Sequence, residues 1–153
     1  MPHPASIAGA RTPIGQPSRA ADWVRLRWSR VFPGEDLQLR VLREWLRGLL
    51  PTCMARDDVI AVASELGANA VCHTPSGRGG EFTVEVVWSG SVVSIVVGDG
   101  GGPAEPRIVD DPGSENGRGL LLVKSLSLTV EVTGDEHGRF VRADVPWTEV
   151  LRS

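Results

Sequence analysis

Between Val59 and His73 the chain sets Val59, Val62, Ala63, Leu66 and Ala70 along one stripe at helical spacing. A helix with such a stripe buries it against another layer of structure. Glu65 and Asn69, four residues apart, fall on a different side, one turn above the other. A carboxylate and an amide are thereby held side by side by a helix anchored through its other face. An amide oxygen is a good ligand for a hard cation such as Mg²⁺, and a carboxylate serves as ligand or base. Solvated helix faces carry this pair too, so its meaning depends on what the rest of the chain places opposite it.

The chain of 153 residues gives room for one domain with a real core, and 41% hydrophobic with 23% charged residues is a globular composition. A net charge of -3 offers no general footprint for nucleic acid or an acidic membrane surface, so direct nucleic-acid binding is not expected. Cys53 and Cys72 make neither a metal-ligand spacing nor a disulfide framework, and Cys72 reads as a small core residue of the helix. No apolar run reaches the roughly 18 residues of a membrane span. Pro4, Arg11 and Pro13 interrupt any signal-like apolar core. The expectation is a cytoplasmic protein.

Residues 1–20 hold four of the eleven prolines and read as a flexible arm, leaving 21–150 as the domain. From Val24 towards Phe32 the chain alternates as a half-exposed strand does, with Arg25 and Arg27 on its basic face. After Pro33-Gly34, Asp36 is placed to cap a helix carrying Leu39, Leu42, Trp45, Leu46 and Leu49 up to Pro51. Arg40, Arg43 and Arg47 beside that stripe read either as a docking surface or as ordinary solubilising charge. Asp57 and Asp58 start the second helix, which ends near Thr74-Pro75. Phe82–Trp88 and Val92–Val97, joined at Ser89-Gly90, read as a hairpin.

Residues 98–119 hold seven of the eighteen glycines and little hydrophobic pattern, and a loop of that length in a domain is functional or disordered. The run Leu120–Leu126 then reads as a short helix buried nearly all round. Ser127–Val132 and Arg139–Val145 make a last pair of strands, with His137 solvated in the turn between them. Strands segregated from helices in this way predict an α+β two-layer sandwich, one mostly antiparallel sheet covered on one face by helices.

Two further pieces face the Glu65–Asn69 pair. Asp99 stands where the second hairpin strand runs out, followed by Gly100-Gly101-Gly102. A carboxylate beside backbone free of side chains can accept from an exocyclic amino group while a flat base lies close by. Gly117-Arg118-Gly119 opens the following helix, where free amide N–H groups and the positive dipole end suit an anion. Amine, metal and phosphate are the three handles of Mg-ATP. A P-loop is excluded because no Gly-x-x-x-x-Gly-Lys-Ser/Thr stretch exists, and Gly98-Asp99-Gly100 does not continue as a dinucleotide fingerprint.

Ser64-Glu65-Leu66-x-x-Asn69-Ala70-x-x-His73 resembles the N-box of the GHKL ATPase superfamily, Asp99-x-Gly101 its G1 box, and Gly117-x-Gly119-Leu120-x-Leu122-Val123 its G2 box. Within that superfamily the chain is similar to the anti-sigma-factor serine kinases and their single-domain relatives of actinobacteria, over residues 28–147. The resemblance implies the Bergerat-type ATPase fold, with ATP and Mg²⁺ as cofactors. It implies that Asn69 binds Mg²⁺, that Glu65 is the general base, and that Asp99 accepts from the adenine amine with Gly101 leaving room beside the ring. It places Gly117, Arg118, Gly119 and Leu120 at the nucleotide and a lid over residues 102–116. His73 would end the helix structurally, and Lys124 would lie either near phosphate or on the helix surface. Two departures stand out: Pro103 replaces the second G1 glycine, and Arg139-Phe140 follows Gly138 where relatives often carry a threonine supporting the aspartate.

The expected function is then a protein-serine kinase that phosphorylates a small antagonist protein and controls a sigma factor. The alternative is an ATP-responsive binding module that transfers nothing. Glu65 favours the first, since a pure binder needs no base, and the missing hydroxyl favours the second. A histidine kinase is not expected, because no helical hairpin with a phospho-acceptor histidine precedes the ATP-binding part. The relatives often form dimers through their sheets, so a homodimer is a possible partner arrangement.

Overall fold

Leu42 and Leu46 of the first helical stripe and Val59, Val62 and Ala63 of the second are wholly buried, which is what their spacing asks of helices lying on a sheet. The computed structural model describes residues 25–73, 75–100 and 115–148. In chain order its elements are β1 (Leu26–Pro33), α1 (Leu37–Leu49), α2 (Met54–His73), a single 3₁₀ turn (Pro75–Gly77), β2 (Glu81–Trp88), β3 (Val92–Asp99), α3 (Glu115–Leu126), β4 (Thr129–Asp135) and β5 (Gly138–Pro146). The strands form one antiparallel sheet in the order β1-β2-β3-β5-β4. The expected α+β sandwich is the one observed. The arm over residues 1–20 and the expected lid as far as residue 114 lie outside the described residues, and residues 115 and 116 already belong to α3.

Alternation decides the two faces. Phe32, Phe82, Val84, Val86, Val93, Ile95, Val97, Ala143 and Val145 are buried, every second residue of their strands. The helices cover that face. Phe32 stacks on Phe82 at 5.3 Å between ring centroids and meets the edge of Trp45 of α1 at 5.7 Å. A Cβ on Gly67 of α2 would lie 3.1–3.5 Å from Leu39, Leu42 and Phe82, so helix and sheet approach closely there. The other face is open and polar. Arg27 pairs with Glu85 at 3.4 Å. Asp144 accepts from Ser94 Oγ (2.6 Å), Arg142 Nε (3.0 Å) and Thr129 Oγ1 (3.0 Å). On this face Gly98 of the central strand is flanked by Thr83 and Phe140, and a Cβ there would come within 2.6 Å of Thr83 Oγ1 and 2.7 Å of Phe140 Cε1.

Four local expectations are corrected. Asp36 occupies the N-cap of α1, but its backbone is already helical and its side chain makes no capping bond. α2 begins at Met54, which leaves Asp57 within its first turn, where a carboxylate still suits the dipole. Cys72 is exposed, whereas Cys53 is buried. Cys72 stands two residues beyond Ala70 and so turns away from the buried stripe. The last helix is buried on one side only: Leu120 and Val123 face inward, while Leu122 is 39% exposed and Lys124 is exposed. No described helix is long and apolar enough to cross a membrane.

Candidate functional site

α2 carries the first part of the site. Leu66 and Ala70 hold it to the core, and Ser64 Oγ turns back to donate to Ile60 O at 2.7 Å, so the serine is satisfied within the helix. Glu65 and Asn69 are both half-buried on the adjoining side, as their spacing predicts. The Glu65 side chain reaches α3. A Cβ built on Gly119 would overlap Glu65 Oε2, closer than real Cβ contacts come, and would lie 3.1 Å from Glu65 Cδ. The carboxylate thus rests on the bare α carbon of Gly119, and only a residue without a side chain admits it.

α3 begins at Glu115, so Gly117 and Gly119 lie in its first turns rather than ahead of it. Leu120 and Val123 anchor that helix from below. The Arg118 side chain and the whole of Gly101 lie outside the described residues, as do Gly102 and Pro103. Lys124 is in the last turn of α3 and exposed, where a cation suits the dipole's negative end. That favours the surface reading of this lysine.

Asp99 is the final residue of β3 and half-exposed, and it shares the helix-covered side with Val97 by alternation. Two neighbours sequence reasoning did not assign fix its surroundings. Ser76, in the 3₁₀ turn after α2, is 2% exposed, and its Oγ accepts from the Gly100 N–H at 3.0 Å. The end of α2 is thereby tied to the exit of β3. Arg139 of β5 stands directly opposite Asp99 in the strand register and is 7% exposed. Ser76 sits in a Gly/Ser/Arg stretch with no pattern of its own, so nothing local marks it. Arg139 was visible only as the residue following Gly138 at the start of the last strand; its place opposite Asp99 depends on strand register.

α2 therefore spans the site. Glu65, towards its middle, meets α3, and the turn following its C-terminus meets the exit of β3. From Glu65 to His73 the helix rises about 12 Å. The donors suit Mg²⁺: an amide oxygen and a carboxylate, hard and half-buried, one turn apart. Among the described residues no group of three or more His, Cys, Asp and Glu is placed to hold a metal by itself. Mg²⁺ is usually held through one or two protein oxygens, with phosphates and water completing its shell.

A family model described as a histidine kinase-like ATPase domain matches residues 36–144, more than two thirds of the chain, from just before α1 to two residues short of the end of β5. Among curated proteins none matches the chain. The matched span contains Glu65, Asn69, Asp99 and Gly117 to Leu120 together with the elements that position them. The chain belongs to the histidine kinase-like ATPase domain family, and is an ATP-binding domain of the GHKL type.

Proposed function

We propose that this protein binds Mg-ATP between α2, the exit of β3 and the first turns of α3, and is a protein-serine kinase of the anti-sigma-factor type. Its substrate would be a small antagonist protein, and its regulatory target a sigma factor. The observation that carries the catalytic part is the seat of Glu65 against Gly119, which sets a carboxylate beside the helix start that suits phosphate.

In this reading the Asn69 amide oxygen ligates Mg²⁺, and Asp99 accepts from the adenine amine. Gly101 leaves room beside the ring, while Gly117, Arg118, Gly119 and Leu120 border the phosphates. Bound Mg-ATP supplies the phosphoryl group and the cation that neutralises charge developing on it. Glu65 then has a role that binding alone does not require. It accepts, or polarises towards itself, the proton of the incoming serine hydroxyl.

The test is transfer of label from γ-labelled ATP to candidate antagonist proteins, comparing wild type with Glu65→Ala. Transfer to a partner serine that disappears in the variant supports the kinase. Tight, nucleotide-dependent partner binding with no transfer by wild type overturns it in favour of an ATP-responsive binding module. Failure of wild type to bind ATP at millimolar concentration removes both.

A further inference from the structure

Ser76 is the feature that this function leaves unused. It is 2% exposed and lies in the 3₁₀ turn Pro75–Gly77 that follows α2. Two close approaches of main chain fix that turn. A Cβ on Gly77 would overlap Val71 O of α2, and a Cβ on Gly34, between β1 and α1, would overlap Ser76 O. The Gly34 N–H also donates to Gly80 O at 2.9 Å, just ahead of β2. Ser76 is therefore held through its backbone, and its Oγ accepts from the Gly100 N–H at 3.0 Å.

That bond falls where the sheet stops holding the chain. Pairing of β3 ends at Gly98 towards β2 and at Asp99 towards β5. Gly100-Gly101-Gly102 follows, and no residue type loses more freedom on being ordered than glycine. The peptide joining Asp99 to Gly100 is one rigid plane, so a fixed partner for the Gly100 N–H also fixes the torsion on the carbonyl side of Asp99. Pairing with β5 holds the other side of the residue. The direction in which the Asp99 side chain leaves the backbone is thus set between two anchors, one of them Ser76.

We infer that Ser76 is a positioning residue for base recognition: its hydroxyl pins the Asp99–Gly100 peptide and so aims the Asp99 carboxylate at the exocyclic amine. The inference rests on reading Asp99 as the adenine-recognising carboxylate. Ser76 needs no contact with the nucleotide for this role. Its loss leaves little for the fold to repair, because Gly100 is exposed and its released N–H turns to water. What is lost is order at one torsion. Half the ordering of one residue's backbone corresponds to about twofold to fivefold in a binding constant.

The experiment compares the dissociation constants of ATP and inosine triphosphate, with Mg²⁺ present, for the full chain. Inosine triphosphate lacks the 6-amino group, so the ratio of the two constants isolates the contact made to it. Wild type should prefer ATP roughly tenfold or more, the size of one hydrogen bond to a charged group. In Ser76→Ala that preference should fall by about twofold to fivefold, through weaker binding of ATP with inosine triphosphate nearly unchanged. Amide hydrogen exchange, read by NMR on the nucleotide-free chain, should show Gly100 protected in wild type and exchanging freely in Ser76→Ala.

Equal weakening of both nucleotides by Ser76→Ala, or an unchanged ratio, overturns the inference, since a purely structural role moves both constants together. Gly100 exchanging in wild type at the rate of a free peptide overturns it without any variant. Asp99→Asn separates the two levels. A preference that Asp99→Asn leaves intact removes the reading of Asp99 and the role of Ser76 with it. A preference lost in Asp99→Asn but kept whole in Ser76→Ala removes only the role of Ser76.

Discussion

The carboxylate of Glu65, carried by α2, lies against the α carbon of Gly119 in α3, in the space that any side chain at position 119 would fill. Gly119→Ala must therefore displace Glu65. Because the obstructing atoms are the far end of a flexible side chain, the helices need not separate. Stability should change by no more than about 1 kcal/mol, since alanine also favours the helix over glycine by roughly that amount. Phosphoryl transfer should fall roughly tenfold to a hundredfold, the penalty for misplacing a reacting group by about 1 Å. Thermal melting alongside the labelled-ATP assay checks both. A variant with full activity would remove the contact from the mechanism.

Asn69→Ala should uncouple nucleotide binding from Mg²⁺. Asn69 is half-buried and off the core stripe, so truncating it should shift unfolding by less than about 1 kcal/mol. Titration with ATP, with and without Mg²⁺, should show the metal-dependent gain of wild type and none in the variant. An equal gain in both would assign the metal to another ligand.

What sequence could supply follows period and proximity along the chain. The stripes Leu39–Leu42–Leu46 and Val59–Val62–Ala63–Leu66–Ala70 announce which helix faces are buried, because helical periodicity is local. Glu65 and Asn69 on the adjoining face and Asp99 at a strand end are legible for the same reason. The approach of Glu65 to Gly119 and of Ser76 to Gly100 is not, since each joins segments far apart in sequence through the packing of α2. Asp99 and Arg139 required the register of β3 on β5, which no local pattern states. Leu120–Leu126 misled because a dense apolar run reads as buried all round, whereas α3 is covered on one side and leaves Leu122 exposed.

The Asp144 cluster on the open face predicts an acid-sensitive contribution to stability. Burial alone pushes the Asp144 carboxyl up, but hydrogen bonds from Ser94, Arg142 and Thr129, with the charge of Arg142, outweigh it and leave the group below its ordinary value. A folded-state value below the unfolded one gives stability that is complete above the ordinary aspartate range and is lost as pH falls through the folded value. Asp144→Asn should cost about 1–2 kcal/mol at neutral pH. The gap between variant and wild type should shrink towards about pH 2.5, below the ordinary aspartate value. Urea midpoints at the two pH values measure this, and a gap that persists in acid would assign the loss to something other than the carboxylate's charge.

Phe82 should be the costliest single truncation among the aromatic core residues. It is 1% exposed, stacks on Phe32 and lies under Gly67 of α2, so Phe82→Ala empties space shared by sheet and both leading helices. The expected loss is about 3–5 kcal/mol. Chemical denaturation should show a lower midpoint at an unchanged slope, and a loss under about 1 kcal/mol would mean that the helices collapse into the cavity.

Gly98 sits one residue before Asp99, with Thr83 and the Phe140 ring occupying the space a side chain there would need. This arrangement makes the history of the site directional. A descendant chain cannot accept alanine at 98 while threonine and phenylalanine stand beside it without shifting one of them. It can exchange Thr83 or Phe140 for smaller residues first and then fill 98. The order in which neutral changes become available next to Asp99 is therefore set from the opposite face of the sheet, by residues on the side away from the helices.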